Sequence, residues 1–264
     1  MVEFERKESY NIDDLIRIVE LLRSPEGCPW DKEQTHKSIR QDFIEEVYEA
    51  IEAIDLEDTD LLREELGDVL LQVVFHCQIE RENKNFVFDD ICDELCKKLI
   101  VRHPHVFGDL TVSDSGEVLK NWDSIKKKTK CQETYTDTLN AVAKSLPALM
   151  RAQKIGKRAM RAGMDFRNAK EAFACIKSEA DELEAAIADG DKKNIEEEFG
   201  DLLFSCVNTA RHLGIDAEQA LTDASEKFIR RFEEVEKEVM LNGADMSALG
   251  IDELDVYWRR AKQK

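Results

Sequence analysis

The chain has 264 residues, which is enough for one large domain or two of ordinary size. Its formal net charge of −19 at pH 7 argues against a nucleic-acid polymer or a membrane surface as the main partner, because both attract positively charged proteins. Only 4 prolines and 11 glycines interrupt a sequence rich in residues that favour helices, so an all-α fold is expected.

The cysteine pattern and the amino-terminal residues indicate a reducing compartment. The 7 cysteines are odd in number and contain no Cys-x-x-Cys pair, so neither a disulfide framework nor a zinc knuckle is indicated. The initial run MVEFERKESYN has no apolar signal core, and the longest apolar stretches are far shorter than a membrane span. We therefore expect a cytoplasmic protein.

Apolar residues recur at helical spacing along most of the chain. The first helix is expected over about 12–22, where leucine, isoleucine and valine recur three and four residues apart. A turn at Ser24-Pro25-Glu26-Gly27 ends it. Amphipathic helices are then expected at roughly 35–56, 59–82, 89–101 and 115–127, and weak periodicity predicts a connector over 128–147.

After Pro147 the same order of elements begins again, and it carries the same pattern of acids. Each copy has a Glu-x-x-Glu pair followed by a Glu-x-x-Asp pair, with 22 residues from the first acid to the last. The sequence thus predicts two tandem helical domains, 1–127 and 148–264. The acids are Glu46, Glu49, Glu65 and Asp68 in the first copy, and Glu179, Glu182, Glu198 and Asp201 in the second.

Basic and aromatic residues repeat beyond the acids. A lysine precedes an arginine by four residues in each copy, and a tryptophan then precedes a lysine by four. Both spacings correspond to about one helical turn. The first copy has Lys98, Arg102, Trp122 and Lys126, and the second has Lys227, Arg231, Trp258 and Lys262.

The repeated acids have the spacing of metal ligands. Residues three apart lie within roughly 60° of each other on a helix, so each acid pair shares one face, at the edge of the apolar stripe. Two such helices packed together would bring four carboxylates to a shared rim, where repulsion requires cations or protons. Oxygen ligands favour Mg²⁺ first and Mn²⁺ second. Acidic helices that bind no metal and are only solvated remain the alternative.

Longer motifs resemble those of a known family. They are the run Gly27-Cys28-Pro29-Trp30-Asp31-Lys32-Glu33-Gln34-Thr35, the Glu45-Glu46-x-x-Glu49 and Glu65-x-x-Asp68 pairs, Arg102-His103-Pro104-His105-Val106-Phe107, and the junction 145–154. Over essentially its whole length the chain resembles the MazG family of all-α nucleoside triphosphate pyrophosphohydrolases. The resemblance implies helical domains completed by homodimerisation, with Mg²⁺ held by the eight repeated carboxylates.

The resemblance also implies an activity. The expected reaction is Mg²⁺-dependent hydrolysis of NTPs and dNTPs to the monophosphate and diphosphate, with broad base specificity, in keeping the nucleotide pool clean. A carboxylate next to the ligands would be the general base, either Glu45 or Glu64 in the first copy and Glu197 in the second. The second copy has Ser178 where the first has Glu45, so its activity could be lower.

The remaining repeated residues are predicted to contact the substrate. Lys227 and Arg231, like Lys98 and Arg102, would offset the triphosphate charge, although pairing with surface glutamates is the alternative. Trp122 and Trp258 would stack on the base or close the pocket, with Lys126 and Lys262 reaching phosphate. Packing in the core is the alternative for both tryptophans.

Two other classes of function are possible for an acidic helical bundle. A carboxylate-bridged di-iron oxidase typically needs Glu-x-x-His on two helices, and the single such spacing, Glu33 to His36, lies outside both acid pairs. A non-catalytic helical module that binds a nucleotide or a partner is the second. The basic and aromatic residues kept in both copies argue against it.

Overall fold

The protein is all-α, as its sequence predicts. The structure, a computed structural model, describes residues 2–112, 114, 116–118, 121–122, 125 and 133–263. Every regular element in these ranges is a helix. The chain divides into two compact units, Met1–Lys126 and Lys127–Lys264. No helix within the described ranges has the length and hydropathy needed to cross a bilayer.

The first unit is built around a pair of long helices. Asn11 caps the first helix and Asp58 caps the fourth by accepting hydrogen bonds from backbone N–H groups. Glu57, at φ 56°, makes the turn between the paired helices. The helices are α1 (Ile12–Leu22), α2 (Pro29–Glu33), α3 (Arg40–Asp55), α4 (Thr59–Glu82), α5 (Phe88–Arg102) and α6 (Pro104–Phe107).

The second of the expected helices begins later than its sequence pattern indicates. It was expected from about residue 35, whereas α3 starts at Arg40. Thr35 and Ser38 form a local turn in which each backbone N–H donates to the hydroxyl of the other residue. Such side-chain bonds compete with helical ones. The helix expected over 115–127 falls partly outside the described residues, of which 116–118, 121–122 and 125 are helical.

The core of the first unit lies between α1 and α4. Val19, Ile39, Val74, Phe75 and Ile79 are all buried and in one cluster. Burying such side chains contributes roughly 1.5–3 kcal/mol each. The α4 helix therefore has its carboxyl-terminal half in the core, and its amino-terminal half carries the acids.

A buried arginine ties the end of α1 to the end of α4. The Arg23 side chain is only 5% exposed. Its Nε and Nη2 donate to the Glu82 carboxylate at 2.9 and 2.8 Å. Its Nη1 donates to the backbone carbonyls of Asp31 and Gln34 at 2.5 and 3.1 Å. One side chain thus bonds a carboxylate, a carbonyl of α2 and the carbonyl that follows this helix.

The second unit repeats the long helix pair and extends it. A two-residue turn joins the pair, because Gly190 takes a left-handed conformation (φ 73°) and Asp191 caps the next helix. The helices are α7 (Tyr135–Asn140), α8 (Ala148–Arg161), α9 (Ala169–Asp189), α10 (Lys192–His212), α11 (Ala217–Leu241) and α12 (Ile251–Ala261), with a 3₁₀ turn at Met246–Ala248.

A separate apolar cluster holds α12 against α11. Val235, Val239 and Ala261 are buried there, and Tyr257 and Trp258 pack on them. The boundaries predicted from the sequence, 1–127 and 148–264 for the domains and 128–147 for the connector, remain predictions. Residues 133–147 of the expected connector include α7, whose cap Thr134 accepts a hydrogen bond from the backbone N–H of Asp137.

We predict that Arg23→Met destabilises the first unit by about 2–3 kcal/mol, because it removes the charged donor from the Glu82 carboxylate and from the carbonyls of Asp31 and Gln34. The measurement is urea unfolding followed by tryptophan fluorescence in a Trp258→Phe background, where Trp30 and Trp122 report on the first unit. Arg17→Ala is the control. Arg17 forms an exposed pair with Glu20, which contributes at most about 1 kcal/mol. Equal effects of the two substitutions would contradict the role of Arg23.

Candidate metal centre

The long helix pair of each unit brings three glutamates together. In the first unit, Glu46 and Glu49 of α3 meet Glu65 of α4, with one carboxylate oxygen from each lying within 4.8 Å of the others. In the second unit, Glu179 and Glu182 of α9 meet Glu198 of α10 in the same way. These six residues are among the eight predicted ligands.

The fourth predicted ligand of each copy lies next to its cluster. Asp68 follows Glu65 by three residues on α4, and its negative charge raises the pKa of both Glu46 and Glu65. Asp201 does the same to the pKa of Glu198 on α10. Each aspartate is therefore close enough to add to the field of its cluster, although the three glutamates make the closest set.

Burial and the charges of neighbouring acids raise the pKa of Glu46, Glu65 and Glu198. Burial is the largest cause of the raised pKa of Glu46, followed by the charges of Asp68 and Glu49, while a hydrogen bond from Gln72 acts in the opposite direction. Burial is also the first cause for Glu65 and for Glu198. A donor set made only of carboxylate oxygens with excess negative charge suits a hard divalent cation such as Mg²⁺ or Mn²⁺.

The candidate general bases flank the clusters. Glu45, Glu64 and Glu197 are all exposed. Gln41 donates to Glu45 at 3.4 Å. The charges of Glu64 and Glu197 contribute to the raised pKa values of their neighbours Glu65 and Glu198. Glu64 and Glu197 are thus near their clusters, and all three carboxylates are accessible to water.

In the first unit the predicted substrate residues form a cation–aromatic group. The Arg102 guanidinium lies over the Trp122 ring at 5.8 Å, and the His103 ring meets the same indole edge-on at 5.0 Å. Lys98 is exposed on α5. Lys126 lies outside the described residues.

In the second unit Trp258 is part of a packed surface. Its ring lies 5.0 Å from that of Phe228, and the Lys262 ammonium lies 5.9 Å from its centre. Lys227 is exposed and Arg231 half-buried on α11. Across the described ranges, no hydrogen bond or ion pair connects these basic residues, or Lys98 and Arg102, with the clustered glutamates.

The helix pairs of the two copies align without a gap. Glu46 and Glu179 are 133 residues apart, as are Glu65 and Glu198. The same offset places Ser205 where the first copy has Gln72. Ser205 Oγ lies 3.4 Å from the Cys175 sulfur, which in turn lies 3.4 Å from Glu179. The polar group beside the first glutamate therefore differs between the copies. Gln72 bonds Glu46 in the first copy, and Cys175 lies next to Glu179 in the second.

The first copy has a histidine pair that sequence reasoning missed. His36 Nδ1 lies 2.7 Å from His76 Nδ1, and His36 Nε2 lies 2.5 Å from Glu80. Burial lowers the pKa of His76, and hydrogen bonds from Asn85 and His36 lower that of Glu80. The two histidines are 40 residues apart, so no local pattern indicates their contact.

The second copy has a cavity that sequence reasoning also missed. Its volume is about 380 Å³, and Glu179 and Asp201 are among the residues lining it. Arg211 also lines it and binds Asp165 through both Nη atoms. This bond is the main reason that the pKa of Asp165 falls to about 2. Asp165 and Arg211 are 46 residues apart.

Comparison with known proteins identifies relatives along the whole chain. The family model described as "MazG nucleotide pyrophosphohydrolase domain" matches residues 34–107 and again 167–236. These two ranges contain all eight predicted ligands.

The relatives cover nearly all of the chain. "Nucleoside triphosphate pyrophosphohydrolase" of Escherichia coli K12 is 46% identical over 256 residues, covering 96% of this chain and 97% of the relative. "Nucleoside triphosphate pyrophosphohydrolase/pyrophosphatase MazG" of Thermotoga maritima is 44% identical over 250 residues and 95% of each chain. The uncharacterised protein YabN of Bacillus subtilis is 42% identical over 247 residues, covering 93% of this chain and 50% of that protein.

We predict that Glu198→Gln raises the thermal unfolding midpoint of the protein at pH 7 in EDTA. A carboxyl whose pKa is raised by folding destabilises the fold above that pKa, and the penalty disappears once the pH falls below the ordinary glutamate value, about 4.3. The gain should therefore be lost near pH 4. Glu184→Gln, an exposed position on α9 outside the cluster, is the control. A lower midpoint for Glu198→Gln at pH 7 would show that repulsion is not significant.

Proposed function

Since the chain belongs to the MazG nucleotide pyrophosphohydrolase family, we propose that it hydrolyses nucleoside triphosphates to the monophosphate and diphosphate. The observation that carries the proposal is the three-glutamate cluster on the helix pair, present in each unit and lying within both matched ranges. The names of the Escherichia coli and Thermotoga maritima relatives support the same reaction.

We propose Mg²⁺ as the cofactor, with Mn²⁺ as a substitute. Glu46, Glu49, Glu65 and Asp68 would hold it in the first copy, and Glu179, Glu182, Glu198 and Asp201 in the second. When bound, the ion neutralises the carboxylates and polarises phosphoryl oxygens of the substrate. The raised pKa values of Glu46, Glu65 and Glu198 support a site that needs added positive charge.

The protein's own groups move the proton in this reaction. A water oxygen forms a bond to the α-phosphorus, and the bond from that phosphorus to the diphosphate leaving group breaks. The water's proton passes to an exposed carboxylate beside the cluster, Glu45 or Glu64 in the first copy and Glu197 in the second. Because Ser178 replaces the first of these in the second copy, Glu197 is the base proposed there.

Basic and aromatic residues position the substrate in this proposal. Lys227 and Arg231, and in the first copy Lys98 and Arg102, offset the triphosphate charge. Trp122 and Trp258 close the nucleotide pocket, with Lys126 and Lys262 reaching phosphate. The substrates are NTPs and dNTPs of all bases, consistent with clearing unwanted nucleotides from the pool. A cytoplasmic location, where these nucleotides are found, is part of the proposal.

A second copy of the chain is the proposed protein partner. One face of α11 presents apolar side chains at helical spacing, and each is between 42% and 56% exposed. Contiguous exposed apolar surface of this kind marks an interface. A homodimer that buries this face fits the helical bundle expected for the family. The side chains are Leu221, Phe228, Ile229 and Phe232.

We predict that the wild-type protein sediments with about twice its 30.4 kDa chain mass, and that Leu221→Lys shifts it toward the monomer because a buried charge opposes association. Analytical ultracentrifugation at micromolar concentration makes the measurement. Leu241→Lys is the matched control, since Leu241 is 87% exposed at the end of the same helix. A wild-type protein with the mass of a single chain would refute the dimer.

We predict that Glu65→Gln and Glu198→Gln each lower the kcat of their own copy by roughly 100-fold or more. A lost ligand weakens both metal binding and the stabilisation of the charge that develops on the phosphoryl oxygens. The assay separates nucleotide products with and without Mg²⁺. The double substitution should abolish hydrolysis while the circular dichroism of the helices stays unchanged.

The single substitutions then show how activity is divided between the copies. Monophosphate and diphosphate formed only with Mg²⁺ support the proposed reaction. Near-normal turnover of the double variant would remove the metal site, and nucleoside diphosphate with phosphate would place the cleavage at the other anhydride bond. Metal-dependent nucleotide binding without turnover would favour a binding module.

A further inference from the structure

The cavity of the second unit extends the acidic cluster into an apolar pocket. Its volume of about 380 Å³ lies within the range of small-molecule sites, ~300–1,000 Å³. Glu179 and Asp201 line the cavity together with Phe166 and Phe204. A nucleotide whose phosphates lie at the acids could therefore place its base among aromatic side chains.

One amide in this cavity has a fixed orientation. Asn208 lines the cavity, and its Oδ1 lies 3.4 Å from both Nε and Nη2 of Arg211. Because a guanidinium has donors only, the amide oxygen must face Arg211 and the amide nitrogen must face away. Within the described residues, Asn208 Nδ2 has no hydrogen-bond partner. The side chain thus keeps a free donor.

Arg211 is itself held in place. Its side chain is only 6% exposed, and Asp165 binds both of its terminal nitrogens. Gly156 on α8 provides the space that this arrangement needs. A Cβ atom at position 156 would lie 2.7 Å from Asn208 Oδ1 and 3.0 Å from Arg211 Nε, so any larger residue would displace them. The donor is therefore preorganised by three other residues.

We propose that this cavity binds the nucleobase of the substrate and that Asn208 Nδ2 donates a hydrogen bond to it. The inference rests on the proposed hydrolase function and assigns its base preference. A donor matches the carbonyl oxygen of guanine, uracil and thymine, whereas adenine and cytosine present an amino group at the corresponding position. The enzyme accepts all bases but prefers those with the carbonyl group. Arg211 and Asp165 are positioning residues.

The first copy does not have this donor. The offset of 133 residues places Phe75 where the second copy has Asn208, and Gln78 where it has Arg211. Phe75 is 7% exposed in the core, and the Arg23 guanidinium lies over its ring at 5.1 Å. The base preference therefore comes from the second copy.

The test reverses the polarity of the amide. In a Glu65→Gln background, which silences the first copy, kcat/KM is measured for GTP, UTP, ATP and CTP. Asn208→Asp keeps an oxygen toward Arg211 and replaces the donor by an acceptor. We expect the ratio of the carbonyl bases to the amino bases to fall by about tenfold or more, the value of one hydrogen bond in a partly desolvated site. Asn208→Leu should bring the four substrates close together.

Two further variants control the result. Asn242→Asp makes the same chemical change at an exposed site at the end of α11, and it should leave the ratio unchanged. Gly156→Ala leaves Asn208 in the chain but displaces it, so it should also lower the ratio. This variant decides the question if Asn208→Asp does not fold, as judged by circular dichroism.

The outcomes separate this inference from the proposed function. An unchanged ratio in folded Asn208→Asp and Gly156→Ala would overturn the base-reading role while leaving the hydrolase intact. If the wild-type protein hydrolyses no nucleotide, the proposed function fails. Equilibrium binding of GTP and ATP to the wild-type and Asn208→Asp proteins with Mg²⁺ then decides the role of Asn208. If the wild-type protein binds GTP and ATP with equal affinity, the base-reading role of Asn208 is refuted.

Discussion

The central constraint on this structure is the repulsion between carboxylates that the packing of each long helix pair brings together. Packing α3 on α4, and α9 on α10, buries apolar stripes, and the same packing forces three glutamates to within 4.8 Å in each unit. The apolar contacts stabilise the pair, while the carboxylates oppose it, as the raised pKa values of Glu46, Glu65 and Glu198 show. A bound cation would relieve this repulsion, so the packing that stabilises each helix pair also creates the site of the proposed chemistry.

Much of this could be predicted from local sequence. The helices follow from apolar residues at a period of about 3.6, and the shared face of Glu46 and Glu49 follows from their three-residue spacing. The repeat supplies a second copy of the same pattern. The start of α3 at Arg40 was harder to locate, because the turn between Thr35 and Ser38 depends on side-chain hydroxyls and not on hydrophobicity.

Other features could not be predicted because they depend on contacts between distant residues. Asn208 and Arg211 lie on one helix, but what fixes them is Asp165, which is 46 residues from Arg211 in the chain, and the absence of a side chain at Gly156 on a third segment. Trp258 shows the same difficulty. Its spacing to Lys262 is a local pattern, whereas its contact with Phe228 depends on how α12 packs on α11.

The two units also show how one scaffold has diverged after duplication. The acids keep the same positions, but the residues behind them differ. The first copy has Phe75 packed beneath Arg23, so the space beside its helix pair is part of the core. The second copy has Asn208 and a cavity there. The position that belongs to the core in the first copy thus lines a cavity in the second.

Gly156 gives this divergence an evolutionary consequence. Because its missing side chain is what allows Asn208 and Arg211 to sit against α8, the three positions cannot drift independently. Among descendants of this chain, a larger residue at position 156 should accompany a smaller or differently shaped residue at position 208. The residues of the proposed base pocket would then change together. A substitution on α8, which carries none of the clustered acids, could be the first step in a change of specificity.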